Sequence, residues 1–158
     1  MSNMYLLPIY KRIYHEPFSY DSFENRMQMQ KAIYLLQEMG APVGDYAFFW
    51  YKHGPYSQDL QDAMYAADHS EEKGVPVEFS SDMDVAIQKV SSLLNKKVSY
   101  NKSKWAECLA SLHYLQTNIF PAGSSWDEII AELKKRKPHL DNDSLNREAL
   151  KLVSELCA

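Results

Sequence analysis

A segment without Gly or Pro, residues 23–39, limits the possible folds of this chain more than any other feature. Its apolar residues recur at helical spacing in two rows, which contain Phe23, Met27 and Tyr34, and Met29, Ile33, Leu36 and Met39. A helix with two apolar rows has to be covered on more than one side, so we predict a buried helix. Gly40 and Pro42 follow it directly and are typical of a helix end.

The region after this helix combines aromatic residues with turn residues. Residues 46–51 (Tyr-Ala-Phe-Phe-Trp-Tyr) predict a strand, because aromatic residues favour extended structure. Gly54 and Pro55 then predict a turn, and Ser57 is placed to cap a helix over residues 58–67. Residues 75–79 alternate weakly between apolar and polar side chains, and we predict a second short strand there that pairs with residues 46–51.

The remainder of the chain shows only helical patterns. We predict helices over residues 82–96, 104–119, 126–137 and 144–156. Ser125 and Glu128 form a capping-box pattern at the start of the third of these, and Pro138 follows its end. The expected fold class is therefore α+β, predominantly α-helical, as one compact domain over residues 1–158 with a small two-stranded β element.

Charge and composition exclude several classes of protein. The 158 residues carry a net charge of −4, which argues against a protein that mainly neutralises nucleic-acid phosphates. The chain is 46% hydrophobic and 24% charged, as in an ordinary globular protein. The first residues do not resemble a signal peptide, and no apolar stretch is long enough for a membrane span, so we expect a cytoplasmic protein.

The histidines and cysteines do not predict a catalytic or metal site. His15, His53, His69, His113 and His139 lack the close spacing of metal ligands, and Cys108 and Cys157 stand apart. The sequence also contains no phosphate-binding glycine loop and no nucleophile elbow. We therefore predict neither a metal nor a cofactor, and we expect a binding protein more than an enzyme.

Two motifs resemble those of a known family. The first is the helical stretch 25–37, Asn-Arg-Met-Gln-Met-Gln-Lys-Ala-Ile-Tyr-Leu-Leu-Gln. The second is residues 50–60, an aromatic strand that runs into Gly-Pro-Tyr-Ser-Gln-Asp-Leu. Together they resemble the Panacea, or SocA-like antitoxin, domain and its YwgA-like relatives. The likeness covers residues 23–67, whereas residues 82–156 match only in their helical character. His53 before the Gly-Pro pair and Met29 in place of a frequent Leu depart from the family pattern.

The resemblance implies a role in protein contact. Members of the family occur in bacteria, archaea and mobile elements, often as the antitoxin of a toxin–antitoxin pair. We therefore expect an antitoxin-like or adaptor-like interaction protein whose partner is a protein, for example a cognate toxin. The predicted binding residues are Arg26, Gln30, Lys31, Tyr34, Tyr51, His53 and Tyr56, and the predicted structural turn consists of Gly54, Pro55 and Ser57.

Other interpretations of these residues remain open. Gln30 shares a helical row with apolar residues, so its amide needs buried partners, and we predict that Gln30 and Arg26 bind the backbone of residues 50–57. Alternatively, Arg26, Gln30, Tyr34 and His53 border the polar pocket of an enzyme or ligand-binding protein. A third interpretation is a DNA-binding regulator that uses the basic run Lys134, Lys135, Arg136 and Lys137, which is otherwise typical of a solvated helix end.

Overall fold

Seven α-helices and one β-hairpin make up residues 3–158, the part of the chain that the computed structural model describes. In chain order they are α1 (Leu6–Tyr14), α2 (Phe23–Glu38), β1 (Phe49–Tyr51), β2 (Gly54–Tyr56), α3 (Gln58–Asp68), α4 (Ser81–Leu94), α5 (Lys102–Tyr114), α6 (Trp126–Arg136) and α7 (Asp143–Leu156). A π-helical segment, Leu115–Ile119, extends α5. The expected class, predominantly helical with a small two-stranded sheet, is confirmed.

Six of the helices begin with the same local device. The residue before each of α2 to α7 is a Ser or Asn whose side chain accepts a hydrogen bond from the backbone N–H three residues later; these are Ser22, Ser57, Ser80, Asn101, Ser125 and Asn142. Such a cap satisfies an N–H group that the helix itself cannot bond. The predicted caps at Ser57 and Ser125 are therefore confirmed.

Helices α2 and α5 form the centre of the molecule. Nine consecutive residues of each helix are buried, residues 28–36 and 105–113. The two helices pack against each other, and α2 also contacts α1, α3 and α4, while α5 also contacts α6 and α7. The buried apolar residues of all seven helices form one core. The prediction that the segment starting at Phe23 is a buried helix is confirmed, although Phe23 itself is exposed at its first position.

The first helix was not predicted. Leu6, Ile9, Tyr10 and Ile13 of α1 are buried at the spacing of an amphipathic helix. Pro8 falls in the first turn, where a missing backbone N–H costs no hydrogen bond, so it does not interrupt the helix. The helical spacing of these apolar residues is a local signal, so this helix could have been predicted from the sequence.

The β-hairpin differs from the predicted pairing. Strand β1 pairs antiparallel with β2, with Phe49 opposite Tyr56 and Tyr51 opposite Gly54. The turn is therefore Lys52-His53, and the predicted turn residues Gly54 and Pro55 lie in the returning strand. Gly54 has a φ of +89°, which permits the chain to reverse within two residues.

The predicted strand over residues 75–79 is wrong, because these residues are irregular. The predicted strand over residues 46–51 is also shorter than expected. The side-chain amide of Gln37 bonds both backbone groups of Tyr46, at 2.9 Å from its N–H and 2.8 Å from its carbonyl oxygen. These groups are consequently not available to a β ladder.

The helices predicted from residue 82 onward are confirmed, with ends within about two residues of those in the structure. The exception is the segment 104–119, which changes from α-helix to π-helix at Leu115. No helix within residues 3–158 is both long enough and apolar enough to cross a membrane.

Candidate functional site

Gln30 ties α2 to the end of the hairpin. Its Nε2 group donates a hydrogen bond of 2.8 Å to the carbonyl oxygen of Ser57, and its Oε1 accepts one of 2.9 Å from the backbone N–H of Ser57. The side chain is buried, so these two bonds satisfy an amide that water does not reach. The prediction that Gln30 binds the backbone at the end of the hairpin is confirmed.

Lys31 is the next residue on α2, and its side chain is only 1% exposed. Its Nζ donates a hydrogen bond of 2.8 Å to the carbonyl oxygen of Pro55 in β2. Burial lowers the pKa of Lys31 to about 7, Glu107 acts to raise this pKa, and Lys137 acts to lower it further. Lys31 therefore holds the inner side of the hairpin with an amine whose protonated form is costly to bury.

A second lysine reaches the hairpin from the end of α6. Lys137, just after α6, forms an ion pair of 3.1 Å with Glu107 of α5 and donates to the carbonyl oxygens of Tyr51 and Lys52. His139 lies 2.9 Å from the other carboxylate oxygen of Glu107. We refer to Lys31, Glu107, Lys137 and His139 as the lysine cluster.

The lysine cluster was not predicted beyond Lys31. Lys137 was expected at a solvated helix end but is buried, because the chain after α6 packs onto α5 and the hairpin. Glu107 carries no local sequence signal, since it lies within a helix whose apolar stripe is formed by its neighbours. Only the three-dimensional approach of α2, α5 and the end of α6 brings these charges together.

A pocket of about 190 Å³ lies between the hairpin and α2. Phe23 and Met27 line it from α2, and Tyr51 and Tyr56 line it from the hairpin. The rings of Tyr51 and Tyr56 are 5.3 Å apart between centroids, which is within the range of an aromatic pair. We call this cavity the hairpin pocket.

Polar groups complete the hairpin pocket. They come from Arg26, Gln30, Lys31, His53 and, on α3, Gln61. The ring of His53 contacts that of Phe23, with centroids 5.3 Å apart. Partial burial lowers the pKa of His53, and the positive charges of Lys137 and Lys31 act in the same direction, against the opposing effect of Glu107. Six of the seven predicted binding residues therefore line one pocket.

Arg26 does not bind the backbone of residues 50–57 as predicted. Its guanidinium donates to the carbonyl oxygen of Tyr20 and lies 5.2 Å from the centroid of the Tyr20 ring and 5.8 Å from that of Phe23. The reason is that Arg26 is on the first turn of α2, next to the incoming chain. These contacts hold the guanidinium at the edge of the hairpin pocket.

Tyr34 lies outside the hairpin pocket, which corrects the predicted four-residue site. Its hydroxyl oxygen is 2.7 Å from Nδ1 of His113, and its ring packs against Phe48 at 5.1 Å between centroids. Burial lowers the pKa of His113 to about 4 and raises that of Tyr34. Tyr34 is therefore a buried residue between α2 and α5.

The basic run at the end of α6 is largely neutralised by carboxylates. Lys134 pairs with Asp143 at 3.0 Å, Arg136 with Glu132 at 2.6 Å and Lys137 with Glu107 at 3.1 Å. Within residues 3–158, Lys135 is the one member of the run without an ion pair. This arrangement leaves little free positive charge for contact with phosphates, so it does not favour the DNA-binding interpretation.

Elsewhere in the described part of the chain, the structure shows fewer side chains suited to bind a ligand or a metal ion. A larger groove of about 570 Å³ runs between α1 and the loop after α3, but its walls are mainly Pro, aliphatic and flexible charged residues such as Pro8, Val75 and Lys73. Across residues 3–158 we find no group of three or more His, Cys, Asp or Glu residues positioned to hold a metal ion.

Comparisons with known proteins found no relative of this chain. No protein-family model matches the chain, and neither curated proteins nor solved structures gave a significant match. The likeness of the two motifs to the Panacea domain therefore stays a prediction.

Proposed function

We propose that this chain is a non-enzymatic protein-interaction domain, antitoxin-like or adaptor-like, that binds a partner protein through the aromatic residues around the hairpin. We call Phe23, Phe49, Tyr51 and Tyr56 the aromatic surface. The observation that carries the proposal is the exposure of three of these rings, because Phe23 is 57%, Phe49 68% and Tyr51 53% exposed, while Tyr56 is half-buried.

The geometry of the hairpin supports this proposal. Phe49 and Tyr51 alternate with Trp50 along β1, so their side chains leave the same face of the strand. Tyr56 is directly opposite Phe49 and therefore joins that face. Several large rings on one small exposed face are unusual for a surface without a partner, and aromatic residues are enriched in protein interfaces.

The volume of the hairpin pocket favours a protein partner over a small-molecule substrate. Pockets for drug-sized ligands usually measure ~300–1,000 Å³. At about 190 Å³, the hairpin pocket is smaller than this range and suits one side chain of a partner. Its Arg26, Gln30 and His53 therefore serve recognition in our proposal, and an enzyme acting on a nucleotide-like ligand is the weaker alternative.

The proposed biological setting follows from the motif resemblance. The motifs around Gln30 and Gly54 resemble a domain whose members act by protein contact, often against a toxin. We therefore propose a cytoplasmic protein of a bacterium, archaeon or mobile element, with a cognate toxin as one candidate partner.

A pull-down from cells, followed by affinity measurement on the captured protein, tests the proposal. Tyr51→Ala should weaken the complex by about 2 kcal/mol or more, as loss of a large aromatic anchor does, while the melting temperature stays nearly unchanged. Val85→Ala is a matched control, since Val85 is also 53% exposed but lies on α4. Absence of a stoichiometric protein partner, or equal effects of the two substitutions, would contradict the proposal.

A further inference from the structure

The charged residues that line the hairpin pocket are all basic. Arg26, Lys31 and His53 contribute to its wall, and no Asp or Glu does. This distribution is opposite to the net charge of the chain, which is −4. The lowered pKa of His53 leaves its ring mostly neutral at pH 7, so the positive charge of the pocket comes from Arg26 and, in part, from Lys31.

Arg26 is held in place but lacks an acidic partner. Of the ion pairs in the described part of the chain, none includes Arg26. Its one hydrogen bond to a carbonyl oxygen leaves other N–H groups of the planar guanidinium without a protein acceptor. The rings of Tyr20 and Phe23 lie 5.2 and 5.8 Å from this group, and a planar guanidinium is suited to bind a carboxylate with two parallel hydrogen bonds.

The charges beneath the pocket reinforce this preference. Lys137 pairs with the buried carboxylate of Glu107, whereas the Nζ of Lys31 is bonded to the carbonyl oxygen of Pro55 and forms no ion pair. The lysine cluster therefore has an excess of positive charge when both lysines are protonated. The two neutral amides in the wall already have protein partners, since Gln30 is bonded on both atoms of its amide to Ser57 and the Nε2 of Gln61 donates to the hydroxyl of Tyr20. An incoming anion therefore meets Arg26 and the field of the lysine cluster without competition from a carboxylate in the wall.

We infer that the hairpin pocket binds an acidic side chain, Asp or Glu, which a partner protein presents between apolar neighbours. The carboxylate pairs with Arg26, and the apolar neighbours contact the aromatic surface. The pocket volume of about 190 Å³ limits the occupant to one such side chain. This inference rests on the proposed function and adds to it the chemistry of the partner.

Peptide display on the immobilised protein tests the inference. A library of random linear peptides is selected on the wild-type chain, and the enriched peptides are resynthesised for fluorescence anisotropy. We expect the selected peptides to contain an Asp or Glu flanked by apolar residues. Replacing that residue by Asn or Gln should weaken binding about 10-fold or more, as should Arg26→Gln, because a charge-assisted pair is lost in both cases.

Combining Arg26→Gln with the Asn or Gln substitution in the peptide should weaken binding no more than either change alone, because both changes remove the same interaction. Arg26→Lys keeps the charge without the planar fork and should give an intermediate loss, which also serves if Arg26→Gln fails to fold. Arg12→Gln is the matched control, since Arg12 is a distant arginine paired with Asp84, and it should bind as the wild type does.

The outcomes separate this inference from the proposed function. Selected peptides that lack acidic residues, or that bind Arg26→Gln as well as wild type, overturn the inference; if they still depend on Tyr51, the proposed function stands. A selection that enriches no peptide overturns the inference as well, and the pull-down then decides the proposed function by itself.

Discussion

At Gly54 two constraints act on one residue. Its φ of +89° is a conformation that residues with a Cβ rarely adopt. A Cβ at this position would also overlap the hydroxyl oxygen of Ser111 on α5. Gly40 has a similar φ of +93° but open space around it, so it reports the backbone effect alone.

We expect Gly54→Ala to destabilise the protein more than Gly40→Ala. The latter should cost about 1–2 kcal/mol for the strained backbone, whereas the former adds the overlap with Ser111. Ser111→Ala in the Gly54→Ala background should restore part of the loss, because it removes the overlapping hydroxyl. Denaturant unfolding measures the free energy of unfolding of Gly54→Ala, of Gly40→Ala and of the double variant. Equal losses at the two glycines would show that the hairpin moves away from α5 without cost.

Gln30→Ala tests the bond between α2 and the hairpin. The buried backbone N–H of Ser57 would be left without a partner, and its carbonyl oxygen would keep only the bond from the backbone N–H of Gln61. This loss should lower the free energy of unfolding by about 1–3 kcal/mol. Gln88→Ala, at an exposed position of α4, should change it by less than about 0.5 kcal/mol. A loss at Gln30 as small as that at Gln88 would contradict the structural role given to this amide.

At the scale of elements, two lysines hold the hairpin. A strand pair of three residues each has too few ladder bonds to be stable by itself in water. Lys31 bonds the carbonyl of Pro55 from α2, and Lys137 bonds those of Tyr51 and Lys52 from the end of α6. The hairpin is therefore held by buried amines, and the lowered pKa of Lys31 makes the stability of this arrangement depend on pH.

The pKa of Lys31 determines the direction of this dependence. It falls to about 7 in the folded protein from 10.5, so between these values the unfolded chain binds more protons than the folded one. Stability should therefore rise with pH, by roughly 1–2 kcal/mol from pH 7 to 8.5. Lys31→Met, which carries no titrating group, should lack this rise, whereas Lys135→Met at an exposed lysine should retain it. Parallel stability curves for wild type and Lys31→Met, from urea melts at each pH, would refute the assignment.

Helix positions could be predicted because their signals are local. The two apolar rows that begin near Phe23, the Ser57 cap and the capping box at Ser125 all lie within one or two turns of the residues they organise. Strand pairing was harder to predict, since the alternation at residues 75–79 is weak and the real partner of β1 is the adjacent Gly54–Tyr56, whose Gly and Pro are typical of turns.

At the scale of the whole molecule, only those residues of the candidate site that belong to the two sequence motifs could be predicted. Arg26, Tyr51, His53 and Tyr56 belong to those motifs, and the structure brings them to one pocket. Glu107 lies on α5 and Lys137 lies just after α6, far away in sequence, and nothing near Glu107 indicates which charge it meets. Contacts of this kind depend on how α2, α5 and α6 pack, which a single sequence does not reveal.

The hairpin hydrogen bonds to Gln30, Lys31 and Lys137 have a kinetic consequence. A recognition loop that is mobile before binding loses conformational entropy on association and binds more slowly if a rearrangement is needed. Here Lys31 and Lys137 bond the backbone of the strands that carry Tyr51 and Tyr56 in the free protein, so the hairpin needs little rearrangement to bind. Association with a partner should therefore occur in one step. A substitution that removes one of the hydrogen bonds holding the hairpin backbone should slow the association rate, even though it changes no residue that touches the partner.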